Sequence, residues 1–187
     1  MVSLEARICP GKTSLEMEKE FYNFNKIVEE VKDEDKQKKL FYVLHFPKIK
    51  DKDFCLGMPR NYNARCAAEA GMRSIVAFFE RDAKFNDGVR GIDTCASELD
   101  CRPEVYAQIY RYLSDIIIQD KNGGLLEGGD QKRKLKMTYH AGEDFLDLTD
   151  GLRAIDEVIR FCGLHRGSRI GHALALGLDP YLSLIHI

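Results

Sequence analysis

No apolar stretch in this 187-residue sequence reaches the roughly 18–20 residues that a membrane-spanning helix needs. The opening residues Met1-Val2-Ser3-Leu4-Glu5-Ala6-Arg7 carry charge where a signal peptide has its apolar segment. A reducing, cytoplasmic setting is therefore the expectation. Neither sign of charge dominates. The 28 basic and 30 acidic residues leave a net charge of −2, so electrostatics make no case for nucleic acid or an anionic membrane. The basic run Lys132-Arg133-Lys134 reads as a solvated turn. Cys9, Cys55, Cys66, Cys95, Cys101 and Cys162 include no CxxC pair, and their scatter fits neither a zinc knuckle nor a disulfide framework. Buried free thiols are the expectation, with Cys95 set apart because it falls in a candidate site loop. Also missing are a P-loop, a G-x-S-x-G elbow, an H-E-x-x-H helix and a GxGxxG placed after a strand. No repeat or low-complexity segment occurs.

What is present is ordinary for one packed domain: 44% hydrophobic and 31% charged residues, in a chain long enough to bury about 70% of its unfolded surface. Strand and helix patterns alternate. Val2 to Cys9 alternates as a strand, and Pro10-Gly11 stops it. From Ser14 to Lys32, Met17, Phe21, Phe24, Val28 and Val31 recur at helical spacing. Leu40 to Phe46 is a continuous apolar run, as in a parallel strand covered on both faces. Ala64 to Phe79 is helical, with Ala67, Gly71, Ile75 and Phe78 on one face, and Val89 to Thr94 is a short strand. Pro103 suits the first turn of a helix whose stripe is Val105, Ile109, Leu113 and Ile116.

Asn122-Gly123-Gly124 and Gly128-Gly129-Asp130 bracket an expected mobile loop before the strand Leu135 to Tyr139. Asp150 can cap a helix that buries Leu152, Ile155, Ile159 and Cys162 and stops at Gly163; Ser168 to Gly171 is the last strand. About five strands alternating with four helices define an α/β fold of parallel βα units. By pattern alone, a doubly wound open sheet and a (β/α)8 barrel both remain open.

The chemistry gathers at two strand ends. His140-Ala141-Gly142-Glu143 closes one strand, and His172 closes the next, 32 residues after His140. Barrel enzymes keep their reactive groups at that end of their strands. A strand-end imidazole can ligate a divalent metal, a carboxylate three residues on can move a proton, and a second imidazole can orient water. A single strand-end histidine is more often a hydrogen-bonded core residue. Two at corresponding ends of consecutive strands, one followed by Gly-Glu, weigh as heavily for a site.

Met137-Thr138-Tyr139-His140-Ala141-Gly142-Glu143 and Arg169-Ile170-Gly171-His172 resemble two signature motifs of the adenosine/AMP deaminase family. Gly91-Ile92-Asp93-Thr94-Cys95-Ala96-Ser97-Glu98 resembles a third, and Leu4-Glu5-Ala6-Arg7-Ile8-Cys9-Pro10 is similar to that family's second-strand sequence. The four occur in the family's order across nearly the whole chain. The apolar continuation Ala173-Leu174-Ala175-Leu176-Gly177 resembles large divergent bacterial members linked to anti-phage defence. The resemblance implies a zinc-dependent (β/α)8 TIM-type barrel that hydrolytically deaminates an adenine nucleoside or nucleotide. By motif, His140 is implied as a zinc ligand, Glu143 as the proton donor to purine N1, and His172 as the group that assists the attacking hydroxide. Asp93, the Ala96 backbone and Gly142 are implied on the substrate side. One departure stands out: the family usually has glycine where Ala96 stands, and a methyl there crowds the base or changes the backbone angle.

The family's zinc also needs a His-x-His pair on its first strand and an aspartate on its last, and no His-x-His occurs here. Aligned on the motifs, the chain spans about strands two to six. Residues 1–181 are thus expected to be part of a deaminase barrel that neither holds zinc tightly nor deaminates alone. Leu182-Ser183-Leu184-Ile185-His186-Ile187 matches the translation of a common transposase-based sequencing adapter, with a genuine apolar strand as the alternative. Two other functions stay open: a different metal-dependent amidohydrolase, and a silent barrel used for binding or assembly. Two unpaired sheet edges make the isolated chain marginally stable or prone to associate.

Overall fold

The computed structural model describes residues 2–30, 38–51, 57–81, 88–120 and 131–181. Five strands form one parallel sheet: β1 (Val2–Ile8), β2 (Lys38–Pro47), β3 (Val89–Cys95), β6 (Lys136–Ala141) and β7 (Arg169–His172), in that spatial order. The helices α1 (Ser14–Glu30), α2 (Tyr62–Glu80), α3 (Ala107–Asp115) and α4 (Leu148–Phe161) fill the connections between successive strands of this sheet. Strands β4 (Ile117–Asp120) and β5 (Gln131–Lys134) make a separate antiparallel pair.

Register divides the sheet into two chemistries. Side chains alternate across a strand, and the pairing puts Glu5, Arg7, His45, Asp93, Cys95, Thr138, His140 and Arg169 on one face. The alternate residues Tyr42, Leu44, Phe46, Ile92, Met137, Tyr139 and Ala141 are buried. They pack with Met17 and Phe21 of α1, Ile75 and Phe78 of α2, Ile109 and Leu113 of α3, and Ile155 and Val158 of α4.

The sheet is curled into a half-barrel. Its two edge strands meet across the polar face, where Arg169 Nη2 of β7 lies 3.1 Å from Glu5 Oε1 of β1. In a flat sheet, four strand spacings would separate them by about 19 Å, more than these two side chains can bridge. The polar face is therefore the concave one.

Most expected elements are found, with instructive differences. Lys132-Arg133-Lys134 lies on β5, where Lys134 pairs with Ile117 and Arg133 with Ile118, and not in a turn. The neighbouring glycine clusters, with their expected loop, lie outside the described residues. So do Val31, Cys55 and residues 182–187. Pro103 opens a short 3-10 turn (Pro103–Val105), and α3 begins only at Ala107.

Helix α4 is capped by Asp147, whose side chain accepts the Asp150 N–H; Asp150 itself is inside the first turn. Its buried face is Gly151, Ala154, Ile155 and Val158, with Leu152 and Ile159 exposed. The small residues face inward because the approach is close: a Cβ on Gly151 would lie 2.8 Å from that of Ala175. Gly163 does end the segment, at φ 68°. Phe24 and Ala67, expected on buried faces, are exposed. The thiols divide: Cys101 and Cys162 are buried, Cys95 is half-buried, and Cys9 and Cys66 are exposed.

Candidate active site

Asp93 is the hub of the concave face. It is fully buried, and Arg7 Nη1 donates to its Oδ2 at 2.6 Å while His140 Nδ1 lies 3.0 Å from Oδ1. His45 Nδ1 is 3.4 Å from Oδ2, long for a hydrogen bond. Burial pushes the Asp93 carboxyl up, but the imidazoles of His45 and His140 and the guanidinium of Arg7 outweigh it. They hold the group below its ordinary value, as an anion ringed by donors.

The same contacts orient His140. With Nδ1–H donated to Asp93, Nε2 is left as acceptor, and Arg7 Nη1 faces it at 3.3 Å. Gly171 makes room for the ring. A Cβ there would lie 2.4 Å from His140 Cδ2, so the glycine before His172 is a packing requirement.

The loop after β6 wraps an anion. Glu98 is buried, and its carboxylate accepts the backbone N–H groups of Gly142 (2.9 Å), Glu143 (2.9 Å) and Asp144 (3.3 Å). Gly142 holds φ 77°, and a Cβ there would lie 2.5 Å from Ile155 Cδ1. Lys48 Nζ donates to the His140 carbonyl at 2.8 Å. Burial pushes the Lys48 ammonium down, and the charges of Glu98 and Glu143 partly restore it.

This cradle aims Glu143 at β7, where its Oε2 lies 3.1 Å from His172 Nε2. The rings of His140 and His172 are 5.3 Å apart by centroid. His172 (φ 58°) and Ala173 (φ 49°) are consecutive left-handed residues. The Ala173 N–H to Ala141 carbonyl bond of 3.1 Å helps to hold that turn. Left-handed residues other than glycine or asparagine store strain and gather at functional sites.

Of the six residues singled out from sequence, His140, Glu143, Gly142 and His172 come together at the carboxyl ends of β6 and β7. Asp93 is adjacent but lies beneath His140, occupied by protein groups. Ala96 is exposed just past β3 at φ 74°, an angle that glycine adopts at less cost. Arg7, His45, Lys48 and Glu98 were not singled out for these roles. The sequence signal for two of them was weak but present: Arg7 alternates with Glu5 on the polar parity of β1, and Glu98 ends the Asp93 motif.

Among the described residues no group of three or more His, Cys, Asp or Glu side chains is placed to hold a metal ion. Both His140 nitrogens are engaged, and Arg7 brings a guanidinium to the position a cation would need. The arrangement can move a proton between carboxylate and imidazole at Glu143 and His172. The chain matches no family model, and no curated protein matches it. Among the described residues no helix is long and apolar enough to cross a membrane.

Proposed function

We propose that this chain is the strand-two-to-six portion of a (β/α)8 purine deaminase of the adenosine/AMP deaminase type. Its intact parent would replace the amino group of a small adenine nucleoside or nucleotide by oxygen, in the cytoplasm. The carrying observation is the 3.1 Å contact of Glu143 with His172 beside His140, at matching ends of adjacent parallel strands. In this reading Glu143 delivers a proton to the ring nitrogen of the purine, and His172 orients the attacking water. Asp93 and Arg7 set the orientation of His140, Glu98 shapes the loop that carries Glu143, and the turn at His172 and Ala173 aims the second imidazole. Among the described residues the family's zinc has no complete donor set, so no step is assigned to it. The chain by itself is expected to be inactive.

The test is deamination of adenosine, AMP and ATP by the intact parent, followed by the absorbance change from adenine to hypoxanthine. Glu143→Gln is expected to cut turnover by about 10²–10⁴-fold with substrate binding retained. A parent that deaminates none of these compounds, or a Glu143→Gln variant as active as the unsubstituted protein, overturns the proposal. For the 187-residue chain, stoichiometric zinc surviving dialysis against a chelator would overturn the incomplete-site reading.

A further inference from the structure

Cys95 has no part in the proton relay at β6 and β7. It is the last residue of β3 on the concave face, and its sulfur meets Nε2 of His45. His45 pairs in register with Asp93, whose Oδ2 lies 3.4 Å from the other imidazole nitrogen. That buried Nδ1 has no nearer hydrogen-bond partner than this long contact, so the carboxylate is the group available to orient it. Thiol, imidazole and carboxylate thus stand in line across β2 and β3. A nucleophile in reach of a base, and a base oriented by a third group, is the arrangement that activates weak nucleophiles.

We infer that Cys95, His45 and Asp93 form a nucleophile–base–orienter set, and that Cys95 is a covalent attachment site for small soft carbon electrophiles reaching the concave face. Burial and then the charge of Asp93 push the Cys95 thiol up, while the charge of Lys48 and the Ala96 N–H act the other way without reversing this. The resting group is a thiol, so the thiolate that attacks must be made by a base in contact. In the step, the S–H proton passes to His45 Nε2 and the sulfur electron pair forms a bond to the electrophilic carbon. The leaving group departs with its bonding pair, iodide in the case of iodoacetamide, and the imidazolium then returns its proton to water. Asp93 stabilises the imidazolium. The charged or titratable groups around the pair are Arg7 and Cys9 from the β1 side, Lys48 after β2, Asp93 within β3, and His140 on the far side of Asp93. The inference does not depend on the purine reading.

The test is limited alkylation of the folded chain by iodoacetamide across about pH 6–9, with each cysteine peptide quantified by mass spectrometry. Cys66, exposed on α2, is the internal reference. Although less exposed, Cys95 is expected to react about tenfold faster than Cys66 near pH 7. His45→Gln is expected to bring the ratio of the two rates below one. Unfolding in urea is expected to bring it to about one. If His45→Gln does not fold, the unsubstituted chain decides: a Cys95-to-Cys66 rate ratio well above one that collapses to about one in urea supports the set, and a ratio of one or below in the folded chain refutes it. Cys95 reacting no faster than Cys66 below about pH 8, or an unchanged ratio in His45→Gln, overturns the inference.

Discussion

On the convex face of the sheet Leu44, Ile92, Met137 and Tyr139 are sealed among helices. The alternate residues of the same strands, His45, Asp93, Thr138 and His140, form a polar network on the concave face. Parallel sheets usually bury both faces in apolar contacts. Here the convex face supplies most of the hydrophobic burial, and the concave face, apart from the buried Val43, is held by directed bonds. The difference teaches where each kind of substitution will act: the convex face tolerates changes of shape poorly, and the concave face tolerates changes of charge poorly.

The sharpest way to break the comparison is one truncation on each face. Asp93→Ala leaves Arg7, His45 and His140 around a missing anion and is expected to cost about 1.5–3 kcal/mol, the worth of hydrogen bonds to a charged group. Leu44→Ala is expected to cost about 2–5 kcal/mol by lost burial and cavity formation. Urea unfolding midpoints measure both, and pH separates them. The Asp93 pKa is depressed in the fold below its ordinary 3.8. Its stabilisation is therefore fully present above the unfolded value and is lost as pH falls through the folded value, below 3.8. The acid-side fall in melting temperature should survive in Leu44→Ala and shrink in Asp93→Ala. Equal acid sensitivity in both variants would contradict the polar-face account.

Gly171→Ala sharpens the comparison on the concave face, where Gly171 pairs in register with His140. Its methyl would press on the His140 ring, and the expected cost is about 1–3 kcal/mol by overpacking. A shift of the His140 ring resonances in NMR spectra, with the helical signal retained, is the readout. Unperturbed resonances would mean that the glycine is not the reason the ring fits.

The smallest expected effect is a gain. Ala96 sits at φ 74°, and Ala96→Gly is expected to stabilise the chain by about 1 kcal/mol by relieving a left-handed angle. A lower melting temperature in that variant would show that entropy lost by the glycine outweighs the strain.

Several elements were legible because their signals are local. The apolar run Leu40 to Phe46, the strand-end motifs around His140 and His172, and the stop at Gly163 each depend on neighbours in sequence. The expected face of α4 holds at Ile155 and Cys162, which are buried, and fails at Leu152 and Ile159, because the close approach of Phe145 and Ala175 selects Gly151 instead of a larger residue. The β4–β5 pair is not legible in the sequence because its second strand, Gln131–Lys134, carries no apolar alternation. At the site, Glu143 and His172 carry their own motifs, but Glu98 grips a loop 44 to 46 residues away and Arg7 binds an aspartate 86 residues away.

The amino-acid sequence by itself determined the alternation of strand and helix and the placing of His140, Glu143 and His172 at strand ends, because hydrophobic period and glycine punctuation act over a few residues. The tertiary structure alone decided that Asp93 is the buried hub, that Glu98 organises the loop, that His45 reaches Cys95, and that Glu5 closes on Arg169. Those are contacts between side chains brought together by sheet register and curl, and neither register nor curl is written in any short stretch of chain.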